Sequence, residues 1–214
     1  MKNYIFGYGS LIEEASRLRS TPKANIAIPA KVNGFKRGWF SRTGASGLST
    51  TFLGCTNDSN SRSNGVIYEV SEEDLKLTDS REKGYKRIKI NFEDITFYSE
   101  QINENSAVWI YVNHFPNSKI PTSSFPSKEF PIVQSYVDMC IEGCLEMENL
   151  YPKAKEKNFA IEFINSTFYW SKFWVNDRIY PRRPFIYRPN AYKIDALLKE
   201  NLEDKSIFDA IYFE

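Results

Sequence analysis

The spacing of the hydrophobic positions changes along the chain, from short runs in the first half to a helical repeat in the second. The short runs are bounded by glycine and by polar residues, a pattern typical of β-strands. The predicted strands cover residues 4–6, 27–32, 52–56, 65–70, 85–92, 95–98 and 107–112. Residues 57–64 consist mainly of Ser, Asn and Asp, and they predict a polar loop between the third and fourth strands.

Three segments carry helix signals. Ser71 is followed three residues later by an acid, a capping-box pattern that predicts a short helix over 72–78. Residues 132–150 repeat apolar side chains at the spacing of one helical turn, and Pro131 suits the first turn of that helix. A further helix is predicted over 158–164.

Strands therefore dominate the first half and helices the second, which predicts an α+β fold. We expect a small mixed β-barrel with flanking helices and a helical or irregular C-terminal extension. A chain of 214 residues favours a single domain over residues 1–214. Its core is expected over about 1–112 and its extension over about 131–214, with a surface loop rich in Pro and Ser over 114–131.

Composition argues against several classes of protein. The chain carries 28 Lys and Arg and 27 Asp and Glu, a net charge of +1, whereas nucleic-acid-binding domains usually carry a larger positive excess. No apolar run reaches the ~20 residues of a transmembrane helix, and the apolar part of the N-terminus is too short for a signal peptide. We therefore expect a cytoplasmic protein, monomeric or homodimeric, that binds neither nucleic acid nor membranes.

Cysteine and histidine offer little chemistry. Three cysteines, an odd number, do not suggest a disulfide framework. Cys140 and Cys144 are one helical turn apart and could bind a metal, but free cysteines on a buried face are commoner, and Cys55 is interpreted in the same way. His114, the single histidine, argues against a histidine-rich zinc site or a Ser-His-Asp triad. We expect neither a metal nor a cofactor.

The segment Gly7-Tyr8-Gly9-Ser10-Leu11-Ile12 follows the first strand and suggests a dinucleotide-binding turn. That interpretation fails, because the third glycine position is Ile12 and residues 15–57 contain no acid to bind a ribose. A strand-end turn with two glycines can still bring backbone N–H groups close to an anion, or it can be an ordinary tight turn. In the first case we expect Gly9 to need a positive φ and to leave no room for a Cβ.

Glu82 stands between Arg81 and Lys83 and is followed by Gly84 and Tyr85. It could be a solvated turn carboxylate with basic neighbours. It could equally be a general base held in a partly buried helix-to-strand corner. The residues alone leave both interpretations open.

Aromatic and basic residues alternate over 168–184. Such a segment could bind single-stranded nucleic acid, with bases stacked on its aromatic side chains. It could instead be a C-terminal lid whose aromatic residues complete the core while its arginines pair with carboxylates. The net charge of +1 favours the lid.

Three motifs, taken in order, resemble the gamma-glutamylcyclotransferase-like superfamily, which includes ChaC-like proteins. Tyr8-Gly9-Ser10-Leu11 after a short strand resembles its signature loop, and residues 32–37 resemble the strand and turn that follow. Residues 64–85, with a strand, a short helix and Asp79-Ser80-Arg81-Glu82-Lys83-Gly84-Tyr85, resemble the part that bears the catalytic glutamate. The match covers the first half of the chain, as far as Val112, and the helix at 132–150 resembles tails of some members.

The resemblance implies a cofactor-free enzyme that cyclises a γ-glutamyl group. The α-amine would attack the side-chain amide carbonyl and release 5-oxoproline with a free amine, amino acid or peptide. Glu82 would be the catalytic residue, taking a proton from the ammonium and returning one to the leaving nitrogen. The substrate-binding residues would be Tyr8, Gly9, Ser10, Leu11, Tyr85 and Tyr111.

Two departures from the pattern leave the substrate open. Glutathione-specific members tend to have a Trp soon after the loop, whereas here Glu13 follows Ile12. They also tend to have two glycines after the glutamate motif, whereas Gly84 stands alone. The alternative is a non-catalytic protein on the same scaffold that binds a small ligand or a partner. A Glu82 that points to solvent would favour that alternative.

Overall fold

Two long antiparallel strands, β2 and β3, form the centre of the fold. The computed structural model describes residues 1–24, 26–42, 49–82, 84–115, 119–181 and 190–213. Strand β2 covers Ala27–Ser41 and β3 covers Phe52–Val70. They pair along almost their whole length, and the apolar residues at both ends are buried. The apolar runs that predicted separate strands are therefore the buried parts of two longer ones.

The polar segment 57–64 belongs to β3, so its prediction as a loop was wrong. The register between β2 and β3 shifts between Asn33 and Phe35, and β3 advances further than β2 across that shift. Gly34 lies at the shift with φ +84°, a conformation that glycine adopts without strain. Several side chains of the segment are exposed there, so its polar composition reflects a bulged, solvated strand and not a loop.

Shorter strands extend this pair into one sheet. Their bounds are β1 Asn3–Gly7, β4 Tyr85–Ile90, β5 Ile95–Phe97, β6 Ala107–Asn113 and β8 Thr167–Phe168. The strand order is β4-β6-β1-β3-β2-β5, and β8 pairs with β2. Strand β1 lies inside the sheet, parallel to β6 and antiparallel to β3. The chain that leaves β1 at Gly7 is therefore flanked by strands on both sides.

Helices dominate the later part of the chain. The described α-helices are α1 Glu14–Ser20, α2 Glu72–Arg81, α3 Gln134–Leu150, α4 Pro152–Glu156, α5 Phe159–Asn165, α6 Ala191–Asn201 and α7 Lys205–Asp209. The capping box of α2 is confirmed: Ser71 Oγ accepts from the N–H of Asp74 at 3.0 Å, and Asp74 Oδ2 accepts from the N–H of Ser71 at 3.1 Å. Helices α1 and α4 had not been predicted.

The predicted helix over 132–150 begins two residues later than expected. Ile132–Val133 form strand β7, which pairs with β9 (Trp174–Asn176). Strand β10 (Tyr212–Phe213) completes this second sheet, in the order β10-β9-β7. A pairing partner that comes forty residues later in the chain leaves no mark on the local pattern, which is why the helix prediction overran.

Helix α3 packs directly against the chain that follows β1. A Cβ at Gly143 would lie 2.3 Å from the backbone nitrogen of Glu13, so only glycine allows this approach. Cys140 and Cys144 are fully buried on α3, and Cys55 is buried in β3, which confirms their prediction as core residues.

The α+β class is confirmed by this arrangement. The single-domain organisation remains a prediction, and it is supported by β8, which attaches the C-terminal part to the sheet through β2. Within the described ranges no helix is both long enough and apolar enough to cross a membrane.

Glu146 on α3 makes stability depend on pH. It accepts a hydrogen bond at 2.9 Å from the N–H of Glu14, the first residue of α1, and burial raises its pKa from 4.5 to about 7. The folded chain therefore holds this proton more tightly than the unfolded chain, so the contribution of Glu146 to stability falls as pH rises from about 4.5 to about 7. Glu146→Gln keeps the acceptor without the charge and should raise the free energy of unfolding most above pH 7.

Urea denaturation of the wild type and Glu146→Gln, at several pH values across that window, measures the effect. The difference in the free energy of unfolding should shrink toward zero at the acid end. Glu203→Gln, at an exposed position after α6, serves as the control and should leave the wild-type pH dependence unchanged. Parallel pH curves for the wild type and Glu146→Gln would contradict the prediction.

Candidate active site

A cavity of about 440 Å³ lies where β1 ends. Its walls come from β1, β3, β4, β6 and helices α1, α2 and α3. The residues that the sequence assigned to the site all line it: Tyr8, Gly9, Ser10, Leu11, Glu82, Tyr85 and Tyr111. Elements that are distant in sequence thus bring the predicted residues together, while the role of each remains a prediction.

The turn after β1 covers residues 8–12 and contains a short 3-10 helix over Ser10–Ile12. Its hydrogen bond runs from the N–H of Ile12 to the carbonyl of Gly9 at 3.0 Å. Gly9 has φ −138°, so the expected positive φ was wrong. A Cβ at Gly9 would instead lie 3.1 Å from Tyr136 Oη. The position favours glycine because the hydroxyl of Tyr136, on α3, approaches it closely.

Two tyrosines link the turn to β6. Tyr8 Oη donates to the carbonyl of Tyr111 at 3.0 Å, and Tyr111 Oη donates to Asp79 Oδ1 at 2.8 Å. Asp79 is also paired with Arg87 at 3.1 Å, which fixes the acceptor. Burial raises the pKa of Tyr8 well above its ordinary value, and burial with the neighbouring Asp79 raises that of Tyr111. Both hydroxyls therefore remain neutral donors at physiological pH.

Tyr85 is the first residue of β4 and is held from the opposite side. Its hydroxyl is hydrogen-bonded to Ser41 Oγ, which in turn accepts from Asn113 Nδ2 at 3.2 Å. Burial raises the pKa of Tyr85, so this phenol also stays protonated. The ring is thereby fixed at the cavity wall.

Glu82 caps the C-terminal end of α2 and lies at the corner that leads into β4. Its N–H donates to the carbonyl of Thr78 at 2.9 Å, and its carbonyl accepts from the N–H of Tyr85 at 3.1 Å. Gly84 has φ +99°, which lets the chain turn sharply into β4. The side chain of Glu82 is half-buried and lines the cavity, the placement expected of a general base. Its neighbour Lys83 lies outside the described residues.

Sequence reasoning missed part of the wall. Tyr136 on α3, Phe52 and Leu53 on β3, and Ser16 and Ser20 on α1 also line the cavity. The ring of Tyr136 contacts Phe52 edge-on, with centroids 5.0 Å apart. Tyr136 lies one helical turn before Cys140 in the apolar repeat over 132–150, and that repeat gives no indication that the same face borders the site.

The remaining candidates lie elsewhere. Burial raises the pKa of Cys55 to about 12 and that of Cys144 well above its ordinary value, so neither thiol is ionised at neutral pH. Cys140 is buried beside Cys144. His114 is exposed. Among the described residues, no cluster of three or more His, Cys, Asp and Glu could hold a metal ion.

The described part of the aromatic-basic segment packs only in part as expected of a lid, because Phe168, Tyr169, Phe173 and Tyr180 are exposed. Trp174 is buried and stacks on Trp170, with ring centroids 5.2 Å apart. Arg178 is paired with Asp138 at 2.8 Å and with Asp195 at 2.7 Å. Residues 182–184 of that segment lie outside the described residues.

Comparison with known proteins extends these observations. The model of the ChaC-like protein family matches residues 3–127, more than half of the chain. No curated protein matches the chain. The matched range includes the turn, β2, β3, α2 and β4 to β6 but ends before α3.

One of the three solved structures described here shares the fold, and the other two are less similar. A gamma-glutamyl cyclotransferase is similar with a TM-score of 0.52, at 14% identity over 74% of this chain and 87% of that chain. An uncharacterized protein from Homo sapiens has a TM-score of 0.49, at 15% identity over 73% of this chain and 86% of its own. A gamma-glutamyl cyclotransferase specific to glutathione, from yeast, has a TM-score of 0.42, at 11% identity over 94% and 97%. The match of the family model over more than half of the chain shows that the chain belongs to the ChaC-like family.

Proposed function

We propose that the protein is a gamma-glutamyl cyclotransferase that releases 5-oxoproline from a small γ-glutamyl amine, amino acid or peptide. The observation that carries the proposal is the cavity at the end of β1, where Glu82 and the turn at residues 8–11 lie on one surface. Membership of the ChaC-like family supports it, as does the shared fold with a protein called a gamma-glutamyl cyclotransferase. The reaction is an acyl transfer within one molecule, of acyltransferase or lyase type, and we propose that it takes place in the cytoplasm.

Glu82 acts as the general base and then as the general acid. Its carboxylate takes a proton from the α-ammonium of the γ-glutamyl group, and the free amine attacks the side-chain amide carbonyl. A new C–N bond closes the five-membered ring. The protonated carboxyl then gives its proton to the leaving nitrogen as the original C–N bond breaks and the carbonyl re-forms. The ring nitrogen, which carries an extra proton after the attack, releases that proton to water and leaves 5-oxoproline. Among the described residues that line the cavity, Glu82 supplies the carboxylate for both transfers.

The turn at residues 8–11 binds the γ-glutamyl group. Ser10 and Leu11 are in the first turn of a 3-10 helix, where backbone N–H groups have no intrahelical acceptor. Such groups can donate to a carboxylate or to the oxygen that becomes negative during attack. Because the attacking amine and the carbonyl belong to one molecule, positioning supplies much of the rate enhancement, and no cofactor is required.

Glu82→Gln tests the general base. It keeps the size of the side chain and removes the base, so 5-oxoproline release should fall by about 10² to 10⁴-fold while the melting temperature changes little. Glu73→Gln is the matched control, because Glu73 is exposed on the same helix, and it should retain wild-type activity. Near-normal turnover by purified Glu82→Gln would refute this assignment.

A panel of γ-glutamyl amines, amino acids and peptides, glutathione included, identifies the leaving group. We expect at least one of them to yield 5-oxoproline with the wild type and far less with Glu82→Gln. Binding of a γ-glutamyl compound without any 5-oxoproline would instead identify a non-catalytic binding protein on the same scaffold.

Variants of Gly9 and Ser10 test whether the turn binds the substrate through its backbone or through a side chain. A Cβ at Gly9 would crowd Tyr136 Oη, so Gly9→Ala should displace the turn and raise KM more than it lowers the melting temperature. Ser10→Ala should have the smaller effect, because the proposed contacts come from the backbone. Kinetics of 5-oxoproline release and thermal melts measure both variants.

Tyr136→Phe provides the control for the crowding. Removing the hydroxyl makes room for the new Cβ. The KM of the double variant Gly9→Ala/Tyr136→Phe should therefore be lower than that of Gly9→Ala and closer to the wild-type value. If Ser10→Ala were inactive while Gly9→Ala kept wild-type kinetics, a serine-centred mechanism would have to replace the backbone contacts.

A further inference from the structure

Two buried arginines lie behind the turn that follows β1. Arg17 is 1% exposed and Arg37 is 0% exposed. Burial lowers the pKa of both, to about 10 for Arg37, so both remain positively charged at neutral pH. A buried guanidinium is costly unless its donors are satisfied. The identity of the acceptors therefore indicates what these charges stabilise.

Among the described residues, the acceptors of the Arg17 guanidinium are three backbone carbonyls. Its Nη1 donates to the carbonyl of Leu11 at 3.2 Å and to that of Ile12 at 2.9 Å, and its Nε donates to the carbonyl of Ala24 at 2.8 Å. Two of these three acceptors belong to the turn. Helix α1, which carries Arg17, thus holds the second half of the turn from behind.

Arg37 holds the first half of the turn that follows β1. Its Nη1 donates to the carbonyl of Tyr8 at 3.3 Å and to that of Asn64 at 2.5 Å. The rest of its donors contact Asn64 Oδ1, the carbonyl of Phe163, Ser166 Oγ and Thr167 Oγ1. Strand β2, which carries Arg37, therefore ties the turn to β3 and to the end of α5.

These bonds fix the direction of the peptide groups. A peptide unit is planar and trans, so its carbonyl and the N–H that follows point in opposite directions. With the carbonyl of Tyr8 held by Arg37, the N–H of Gly9 points away from the guanidinium. The carbonyl of Gly9 accepts from the N–H of Ile12, so the N–H of Ser10 in the same peptide group points away from Ile12. The N–H groups of Gly9, Ser10 and Leu11 donate no hydrogen bond to another described residue.

We propose that Arg17 and Arg37 are positioning residues that orient the turn, with its carbonyls toward the interior and its N–H groups available to the γ-glutamyl group. The inference rests on the proposed function, because it assigns the N–H groups to that substrate. Arg37 lies on the carbonyl side of the peptide group between Tyr8 and Gly9, and Arg17 lies on the carbonyl side of the two peptide groups that follow Leu11. They therefore also favour negative charge on the N–H side.

Arg17 allows the sharper test, because Arg37 also holds α5 and β8. Arg17→Lys keeps the charge but cannot reach three carbonyls with a planar fork, and Arg17→Met keeps the packing without any donor. Loss of a charged hydrogen bond to the turn should raise KM about tenfold or more in Arg17→Met, with a smaller rise in Arg17→Lys. The pH profile of kcat should not move, because Glu82 is unchanged.

Amide hydrogen exchange provides a readout that does not depend on activity. Exchange at residues 8–12 should be faster in both Arg17 variants, while the central strands β2 and β3 keep wild-type protection. Arg19→Lys is the matched control, exposed on the same helix, and should match the wild type in KM and in exchange.

Several results would overturn the inference. One is unchanged KM with unchanged exchange at residues 8–12 in folded Arg17→Lys and Arg17→Met. Another is failure of both variants to fold while Arg19→Lys folds, since Arg17 would then serve the whole chain and not the turn. If the wild type released no 5-oxoproline, the proposed function would fail, and the exchange measurement would still decide whether Arg17 positions the turn.

Discussion

The buried charge of Arg37 connects parts of the chain that are far apart in sequence. Its guanidinium donates to Asn64 on β3, to the carbonyl of Phe163 in α5 and to Thr167 at the start of β8. Moving a guanidinium out of water without such acceptors is strongly unfavourable. Strand β3, helix α5 and strand β8 must therefore be in place together for the charge to be tolerated. Since Arg37 also donates to the carbonyl of Tyr8, the placement of α5 and the shape of the cavity depend on the same interaction.

Helix α3 adds a second constraint on the same turn. Gly143 brings the helix against the backbone of Glu13, and Tyr136, two turns earlier on the helix, approaches Gly9 and lines the cavity. The family match ends at residue 127, so this wall lies outside the matched range. The turn and Glu82 lie within that range, whereas the shape of the cavity also depends on a helix that follows it.

A feature could be predicted from the sequence when the residues that determine it are close together in the chain. The capping box at Ser71 and the strand at 65–70 are encoded by neighbouring residues, and both were predicted correctly. Glu82 was placed through a motif that spans a strand, a helix and a turn. Tyr136 could not be placed in the site, because its contact with Gly9 joins positions more than a hundred residues apart. The loop prediction for residues 57–64 was wrong for a related reason. Their polar side chains indicate exposure to solvent, and both a bulged strand and a loop are exposed.

Charge in the cavity is distributed in a way that suits one end of the proposed substrate. Burial raises the pKa of Tyr8, Tyr85 and Tyr111, so their hydroxyls line the wall without charge. A γ-glutamyl group carries an ammonium and a carboxylate on one carbon. Under the proposed function, the ammonium contacts Glu82 and the carboxylate contacts N–H groups of a turn whose carbonyls are held by the guanidinium groups of Arg17 and Arg37. These contacts are common to every γ-glutamyl compound and cannot distinguish one leaving group from another. Under the proposed function, the leaving group is distinguished by other lining residues, among them Phe52 and Leu53 on β3 and Tyr136 on α3, while the proton transfers at Glu82 stay the same.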